Sequence, residues 1–305
     1  MPVWRPQQEW LRQAVHSALD QRDCDLELIV VDDGNDDPIA DLLADVIDPR
    51  VRHVRMAHGG VSAARNAGIG AASGAYLRFV DADDVLEPGS TSRLRALSGP
   101  TTIGYEDTVV CDAELRPQHR ICSRLAGNIV VPCLLGQFDS RHVSMLFSAE
   151  VIRRAGPWDT RLRVRQDFDF VLRCLEQAIV VPGEGTATFY RRHEASATRS
   201  PHAVEDAQRS TRLVLAGFFA RNPELRCTVT ARDAWRRVHG AEARTALHQG
   251  RLMATARYAT PLLRLAPREA LGLYLRVGRS ATRISGAATA RTMVRARASL
   301  LHRAR

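Results

Sequence analysis

Two groups of acidic residues are the parts of this chain best placed to do chemistry. Asp32-Asp33 closes an apolar run at 26–31, and Asp81, Asp83 and Asp84 close a second apolar run at 75–80. Short apolar runs of this kind suit buried parallel strands. An open α/β sheet binds its ligands at the carboxyl ends of such strands. Carboxylates converging on one sheet edge repel each other, and a bound cation relieves that repulsion. Oxygen ligands without a neighbouring Cys or His favour a hard ion, Mg²⁺ or Mn²⁺. Such an ion keeps part of its water shell and bridges phosphates, so the acids predict a metal–diphosphate site. The plainer alternative is that each Asp caps a turn or a helix N-terminus.

The elements that must position these acids follow from periodicity. Residues 8–20 place Trp10, Leu11, Ala14, Val15, Ala18 and Leu19 on one face, which is helical spacing. The run at 26–31 reads as a strand, followed by a helix at 38–46 and a short strand at 51–55. Gly59-Gly60 makes a turn before a helix of small residues, Ser62 to Ala72, which Gly74 ends. The strand at 75–80 comes next. This alternation predicts a mostly parallel sheet with helices on both faces. Residues 203–221, 229–248, 251–260 and 268–305 read as helices, with Gly272, Gly278 and Gly286 expected to interrupt the last. The chain therefore divides at about residue 200 into an α/β domain, 1–200, and a helical extension, 201–305. No motif is legible in 85–145.

Three blocks carry a resemblance. They are Leu28-Ile-Val-Val-Asp-Asp-Gly34, Gly60-Val-Ser-Ala-Ala-Arg-Asn-Ala-Gly68 and Gly74-Ala-Tyr-Leu-Arg-Phe-Val-Asp-Ala-Asp-Asp84. In this order and spacing they resemble glycosyltransferase family 2, whose fold is GT-A. The likeness continues through Ser144–Phe147, Gly156-Pro-Trp-Asp159, Gln166–Arg173 and Tyr190-Arg-Arg-His193, and so covers roughly residues 1–198. The resemblance implies an inverting transfer of a sugar from a UDP- or dTDP-sugar to a hydroxyl. The acceptor would be a cell-envelope glycan, a lipid-linked saccharide or a secondary metabolite. It assigns Asp33 to the nucleotide base and Arg65 to the nucleotide. Asp81 and Asp83 match the family's DxD: Asp83 would bind Mn²⁺ or Mg²⁺, and Asp81 the ribose or the metal shell. Asp167 matches the catalytic base, and His193 a histidine that assists the metal or diphosphate. Val3 and Trp4 would line the nucleotide site, with Trp4 stacking on the base. The sequence departs from the family pattern in two places: Arg5 stands where Asn is usual, and Gln166 where Glu is common. Met1-Pro2-Val3 also begins at the end of the family's first strand, so nearly all of that central strand is expected to be missing.

Composition narrows the rest. The 305-residue chain has 43 basic residues, all arginine, and a net charge of +9. Residues 1–200 carry −5 and residues 201–305 carry +14. That split argues against a uniformly basic nucleic-acid binder, and the rear third has few aromatics and no nucleic-acid motif. Arginines interleaved with leucines there suit an anionic membrane surface or a solvated helical face. The longest uncharged run, 125–138, is too short to span a bilayer. Six cysteines lie far apart with no CxxC pair, which fits reduced thiols. The expected location is cytoplasmic, peripheral on the inner face of the membrane. The rival readings are a catalytically degenerate scaffold, a nucleotidyltransferase and a membrane-docking module.

Overall fold

The computed structural model describes residues 1–21, 24–139, 141–193, 203–226, 229–248 and 252–284. It divides into two compact units, Met1–Asp206 and Ala207–Arg305.

The first unit begins with β1 (Pro2–Val3), α1 (Gln8–Leu19), β2 (Leu28–Asp32), α2 (Ile39–Leu42), β3 (Val51–Arg55) and α3 (Val61–Ala71). The strands form a parallel sheet in the order β1-β2-β3. Pro2 and Val3 lie in register with Val31 and Asp32, so the last two residues of the strand expected to be nearly absent are in place. All of β2 is buried. Its side chains alternate between two cores. Leu28 and Val30 pack with Leu11 and Val15 of α1, and Ile29 and Val31 pack with Ala64 of α3. A strand covered on both faces has no polar side, which is why its sequence is a continuous apolar run. Gln7 caps α1 by accepting a hydrogen bond from the Trp10 N–H at 2.6 Å.

The remaining strands form a mixed sheet. They are β4 (Tyr76–Leu77), β5 (Val85–Leu86), β6 (Thr102–Cys111), β7 (Pro117–Ile121), β8 (Met145–Ser148) and β9 (Ile179–Arg191). The order is β4-β8-β6-β9-β5, with β7 beside β6. Here β6 and β9 run parallel, and the other pairings are antiparallel. The α/β class is as expected, but parallel pairing is confined to the first sheet and to β6–β9. The expected strand at 75–80 pairs only at Tyr76 and Leu77. Beyond them Arg78 turns its guanidinium to the Ser90 and Thr91 hydroxyls, at 2.8 and 2.7 Å, and to the Ala187 carbonyl at 2.7 Å. Phe79 enters an aromatic cluster, and Val80 joins the core of the first sheet. The helices α4 (Ser90–Leu97), α5 (Val130–Leu134), α6 (Ala149–Ala155) and α7 (Gln166–Leu175) complete this unit.

In the second unit lie α9 (Val229–His248), α10 (Leu252–Ala259), α11 (Leu262–Leu265) and α12 (Pro267–Ile284), preceded by α8 (Ala203–Arg221). Ala243, Ala259, Leu262, Ala270 and Leu273 form their core. Helix α12 runs through Gly272 and Gly278, which were expected to break it. Packing of Ala270 and Leu273 on one face outweighs a glycine penalty of about 1 kcal/mol per residue. Gly286 and the rest of the tail lie outside the described residues.

One glycine sets the approach to the acids. Gly34 has φ +78°, and a Cβ there would lie 2.5 Å from the His58 nitrogen. Gly34→Ala should therefore lower the unfolding free energy by about 2 kcal/mol or more, combining strain and clash. Urea denaturation measures this, and a change below about 0.5 kcal/mol would contradict the assignment.

Candidate active site

The acids do not form one cluster. Each has a separate partner. Asp32 is a structural cap: it accepts hydrogen bonds from the Asn35 N–H and side-chain amide and from the Ile39 N–H, at 2.9, 2.7 and 3.2 Å. Burial pushes its carboxyl up, but these donors outweigh burial and hold it below the usual range. Asp33, also buried, receives the Gly59 and Gly60 N–H groups at 2.8 and 3.0 Å and faces the His58 ring nitrogen at 3.0 Å. It thereby fixes the turn that opens α3. Its N–H donates to the Val3 carbonyl at 3.0 Å. Trp4 stacks on His58 with ring centroids 3.8 Å apart, and the Arg5 guanidinium lies over the Trp4 ring, 5.0 Å from its centroid. Val3, Trp4, Asp33 and His58 are thus one wall of the site.

The second wall is built from the Ala-Arg-Asn segment of α3. Arg65 is buried and donates to Asp81 at 2.6 Å, while its guanidinium lies 4.4 Å above the Trp158 ring. Asn66 grips the Trp158 backbone in both directions, receiving its N–H at 2.8 Å and donating to its carbonyl at 3.0 Å. Trp158 stacks on Phe170 of α7 at 4.1 Å. Trp158 is buried core. Arg173 is a structural residue, paired with Asp169 at 2.7 Å and donating to the Ala155 and Gly156 carbonyls. His142 is buried among Phe79 and Trp158, 4.0 Å from Asp81. Burial and the Arg65 charge push its imidazole down to about 3, so it is neutral. Neither ring nitrogen has a hydrogen-bond partner among the described residues. Burial raises the Asp81 carboxyl, and the Arg65 charge and hydrogen bond act against it, leaving it below its ordinary value.

The third group is Asp83, Asp84 and the end of β9. Asp84 is fully buried and accepts the Arg191 N–H at 2.9 Å. Burial, then the charges of Asp83 and Asp81, push its carboxyl well up, and Asp84 is a structural group enclosed beneath the end of β9. Arg191 donates to the Asp83 carbonyl at 2.8 Å, to Gln13 of α1 at 2.7 Å and to the Ala113 carbonyl. Asp83 is the acid of the loop whose carboxylate reaches outward, with 36% of its side chain exposed, and it contacts His193 Nε2 at 2.9 Å. Burial and the Asp81 charge raise its carboxyl. Among the described residues no group of three or more His, Cys, Asp or Glu is placed to hold a metal. The expectation that all the acids converge on one cation is therefore corrected: like charges without a cation between them have each taken a protein donor. Asp83 and His193 remain as a carboxylate and an imidazole side by side. That donor set fits Mg²⁺ or Mn²⁺ with water and phosphate oxygens completing the shell.

Asp167 stands at the first turn of α7, with the Phe168 N–H bonded to it at 2.8 Å. Burial raises its carboxyl, and the Phe168 N–H and the Arg65 charge act against burial. Arg165 precedes it in the left-handed region at φ 63° and supplies no side-chain cap. His58, His142 and Arg191 were not singled out by the sequence. Arg191 lies inside the Tyr190-Arg-Arg-His193 block, whose place next to His193 is the signal that could have marked it.

Comparison with known proteins now bears on this site. Residues 1–97 match the model of "Glycosyl transferase family 2". An uncharacterized glycosyltransferase of Bacillus subtilis, EpsJ, is 29% identical over 211 residues, 63% of this chain and 60% of that protein. The succinoglycan biosynthesis protein ExoO of Rhizobium meliloti is 41% identical over 83 residues, 27% of this chain and 24% of that protein. The chain thus spans less than two thirds of these relatives. Among solved structures, S. aureus TarS 1-349 in complex with UDP-GlcNAc superposes with a TM-score of 0.59 at 13% identity, covering 92% of this chain and 90% of that one. The likeness establishes the fold.

The Arg65–Asp81 pair gives a stability test. Arg65→Ala should lower the unfolding free energy by about 3 kcal/mol, because the Asp81 carboxylate loses its charge partner. The folded-state value of Asp81 is depressed, so this stabilisation is present above its ordinary value and fades as pH falls through the lowered one. Urea unfolding at neutral and acid pH reads both effects; an equal loss at both would contradict the pairing.

Proposed function

The chain belongs to glycosyltransferase family 2 and has its GT-A fold, and from this premise we propose that it catalyses an inverting, divalent-metal-dependent transfer of a sugar from a UDP- or dTDP-sugar to a hydroxyl acceptor. The acceptor belongs to a cell-envelope glycan, a lipid-linked saccharide or a secondary metabolite. The observation that supports this best is the division of labour among the acids: Asp33, Asp81 and Asp84 are bonded to backbone N–H groups or to Arg65, whereas Asp83 contacts the imidazole of His193 and Asp167 accepts only the N–H of its neighbour Phe168 among the hydrogen bonds described.

Asp83 and His193 would hold Mn²⁺ or Mg²⁺, which when bound supplies positive charge against the departing diphosphate. Trp4, stacked on His58 and with the Arg5 guanidinium 5.0 Å from its ring centroid, would line the nucleotide site, and Asp33 keeps that wall in place through the 58–60 turn. Arg65 holds Asp81 beside the sugar–phosphate path and leaves two guanidinium nitrogens without a partner among the described residues. Asp167 takes the proton of the acceptor hydroxyl as that oxygen bonds to the anomeric carbon and the bond to the diphosphate oxygen breaks. Attack from the face opposite the leaving group inverts the anomeric centre, as in inverting glycoside hydrolysis.

A base must be ionised to act. Because burial raises the Asp167 carboxyl, the acid limb of kcat/KM should fall above the ordinary carboxylate value of about 4. Asp83→Ala and Asp167→Ala should each lower transfer about 10²-fold or more in Mn²⁺. Wild-type turnover in either variant would overturn the assignment, and absence of nucleotide binding would favour a degenerate scaffold.

We further propose that the second unit docks on an anionic membrane at the inner face of the cell membrane. Leu271 and Leu275 lie one helical turn apart on α12 and are exposed by 44% and 42%, with exposed Arg264 and Arg268 nearby in sequence. No described helix is long and apolar enough to cross a membrane. Leu271→Glu with Leu275→Glu should weaken binding of the full chain to phosphatidylglycerol vesicles about tenfold or more. Unchanged sedimentation with vesicles would contradict it.

A further inference from the structure

A group of side chains between Asp81 and the start of α7 carries buried polar atoms that have no hydrogen-bond partner among the described residues. They are Arg65 Nε and Nη1, both ring nitrogens of His142, Trp158 Nε1 and Gln166 Oε1. The residues adjoin one another. The Arg65 guanidinium and the His142 ring lie 4.4 and 5.0 Å from the Trp158 ring centre, and Trp158 stacks on Phe170 of the helix that Gln166 opens. Buried polar groups of folded proteins are nearly always bonded, so donors and acceptors collected in this way point to a ligand that carries both.

Ring packing alone does not account for His142. The residue opens a short turn, His142–Ser144, that is tied to two strands. The Thr188 hydroxyl of β9 donates to the Val143 carbonyl at 2.8 Å, and the Ser144 hydroxyl shares a hydrogen bond of 2.6 Å with Thr108 of β6. The imidazole is thereby held edge-on to Phe79 and Trp158, with centroids 5.9 and 5.0 Å away. A phenylalanine would pack in the same way without two nitrogens to satisfy.

The neighbouring carboxylate selects what the imidazole can bind. His142 Nε2 lies 4.0 Å from Asp81 Oδ1, the oxygen that Arg65 holds at 2.6 Å. That gap is too long for a direct hydrogen bond and fits one oxygen bonded to both sides at about 2.8 Å. Such an oxygen gives a proton to the carboxylate, which only accepts, and takes one from the imidazole N–H. A hydroxyl does both. A phosphate or carboxylate oxygen does not, and it would meet the Asp81 charge. Burial and the Arg65 charge push the imidazole down to about 3, so it brings no positive charge to draw an anion in. The Asp81 side chain is 26% exposed and that of His142 7%, so a ligand reaches the imidazole past Asp81.

Of the hydroxyls that a nucleotide sugar carries, those of the sugar suit this place. Trp158 leads from His142 to Phe170 of α7, the helix that carries Asp167, whereas Trp4 and His58 belong to the other wall, held by Asp33. We propose that His142 is a donor-binding residue that, together with Asp81, holds one hydroxyl of the sugar to be transferred. The proposal rests on the glycosyl-transfer reading above and adds to it a residue that reads the donor's sugar.

Calorimetric titration of the full chain in Mn²⁺ tests it, with UDP-glucose, UDP-galactose, UDP-GlcNAc and dTDP-glucose against free UDP and dTDP. His142→Phe keeps the ring packing and removes the N–H. It should weaken the best-bound nucleotide sugar about tenfold and the matching free nucleotide less than about twofold. His142→Gln, whose amide can place an N–H near the position of Nε2, should bind that nucleotide sugar within about threefold of wild type. The wild-type chain gives a reading that needs no variant: among the monodeoxy forms of the best-bound donor, one should bind about tenfold more weakly than the parent. Unchanged nucleotide-sugar affinity in His142→Phe overturns the proposal, and so does a loss shared equally by the free nucleotide. A His142→Gln loss as large as that of His142→Phe, or equal affinity across the deoxy series, overturns it as well. Each of these results leaves the glycosyl-transfer reading standing. A wild-type chain that binds none of these nucleotides sinks that reading and the proposal together.

Discussion

Asp81, Asp83 and Asp84 stand within four residues of one loop, and the fold has to keep that much negative charge at the edge of its core. Burial penalises each carboxylate, and proximity penalises the set. The fold resolves this by giving each acid a different solution. Asp81 is paired with Arg65 from α3, Asp84 is enclosed beneath the Arg191 N–H with its affinity for a proton raised, and Asp83 is turned outward to His193. The loop is thereby tied to both sheets. Arg191 ends β9 and reaches α1 through Gln13, and Arg65 belongs to the helix packed on β2. The outward acid is the one left able to share its charge with a ligand.

The pairing organises what surrounds it. Arg65 does two jobs with one guanidinium, closing the Asp81 charge and lying on Trp158. Its neighbour Asn66 locks the Trp158 backbone, and Trp158 stacks on Phe170 in the helix that begins with Asp167. The candidate base is therefore placed relative to the acid loop through packed aromatic rings, not through a hydrogen bond. A ring stack holds position without pairing the carboxyl with a cation, and burial leaves Asp167 with an elevated affinity for a proton. His142, neutral and enclosed, fills the space beside Asp81 without competing with Arg65.

The sequence made the first sheet legible because its strand β2 is apolar on both faces and its helices have clean spacing. It also located the acids at strand ends. It did not distinguish their fates, since Asp32 and Asp83 look alike until the local turn brings Asn35 to the one and the end of β9 brings His193 to the other. The region 85–145 was opaque for a related reason. Strand β6 buries Glu106, Asp107 and Thr108, satisfied by Arg93, by Arg120 and Arg124, and by Ser144. Buried ion pairs erase the apolar alternation by which a strand is read. In the second unit the glycines of α12 suggested breaks that tertiary packing overrides.

The central claim is that Asp83 and His193 bind a divalent ion together with a nucleoside diphosphate. Calorimetric titration of the full chain with UDP, and separately with dTDP, in Mn²⁺ and then in EDTA, tests it most directly. The account predicts that one nucleotide binds in Mn²⁺, that EDTA weakens it about tenfold or more, and that Asp83→Ala removes the difference between the two conditions. Equal affinity in Mn²⁺ and EDTA, or an undiminished metal effect in Asp83→Ala, would contradict it.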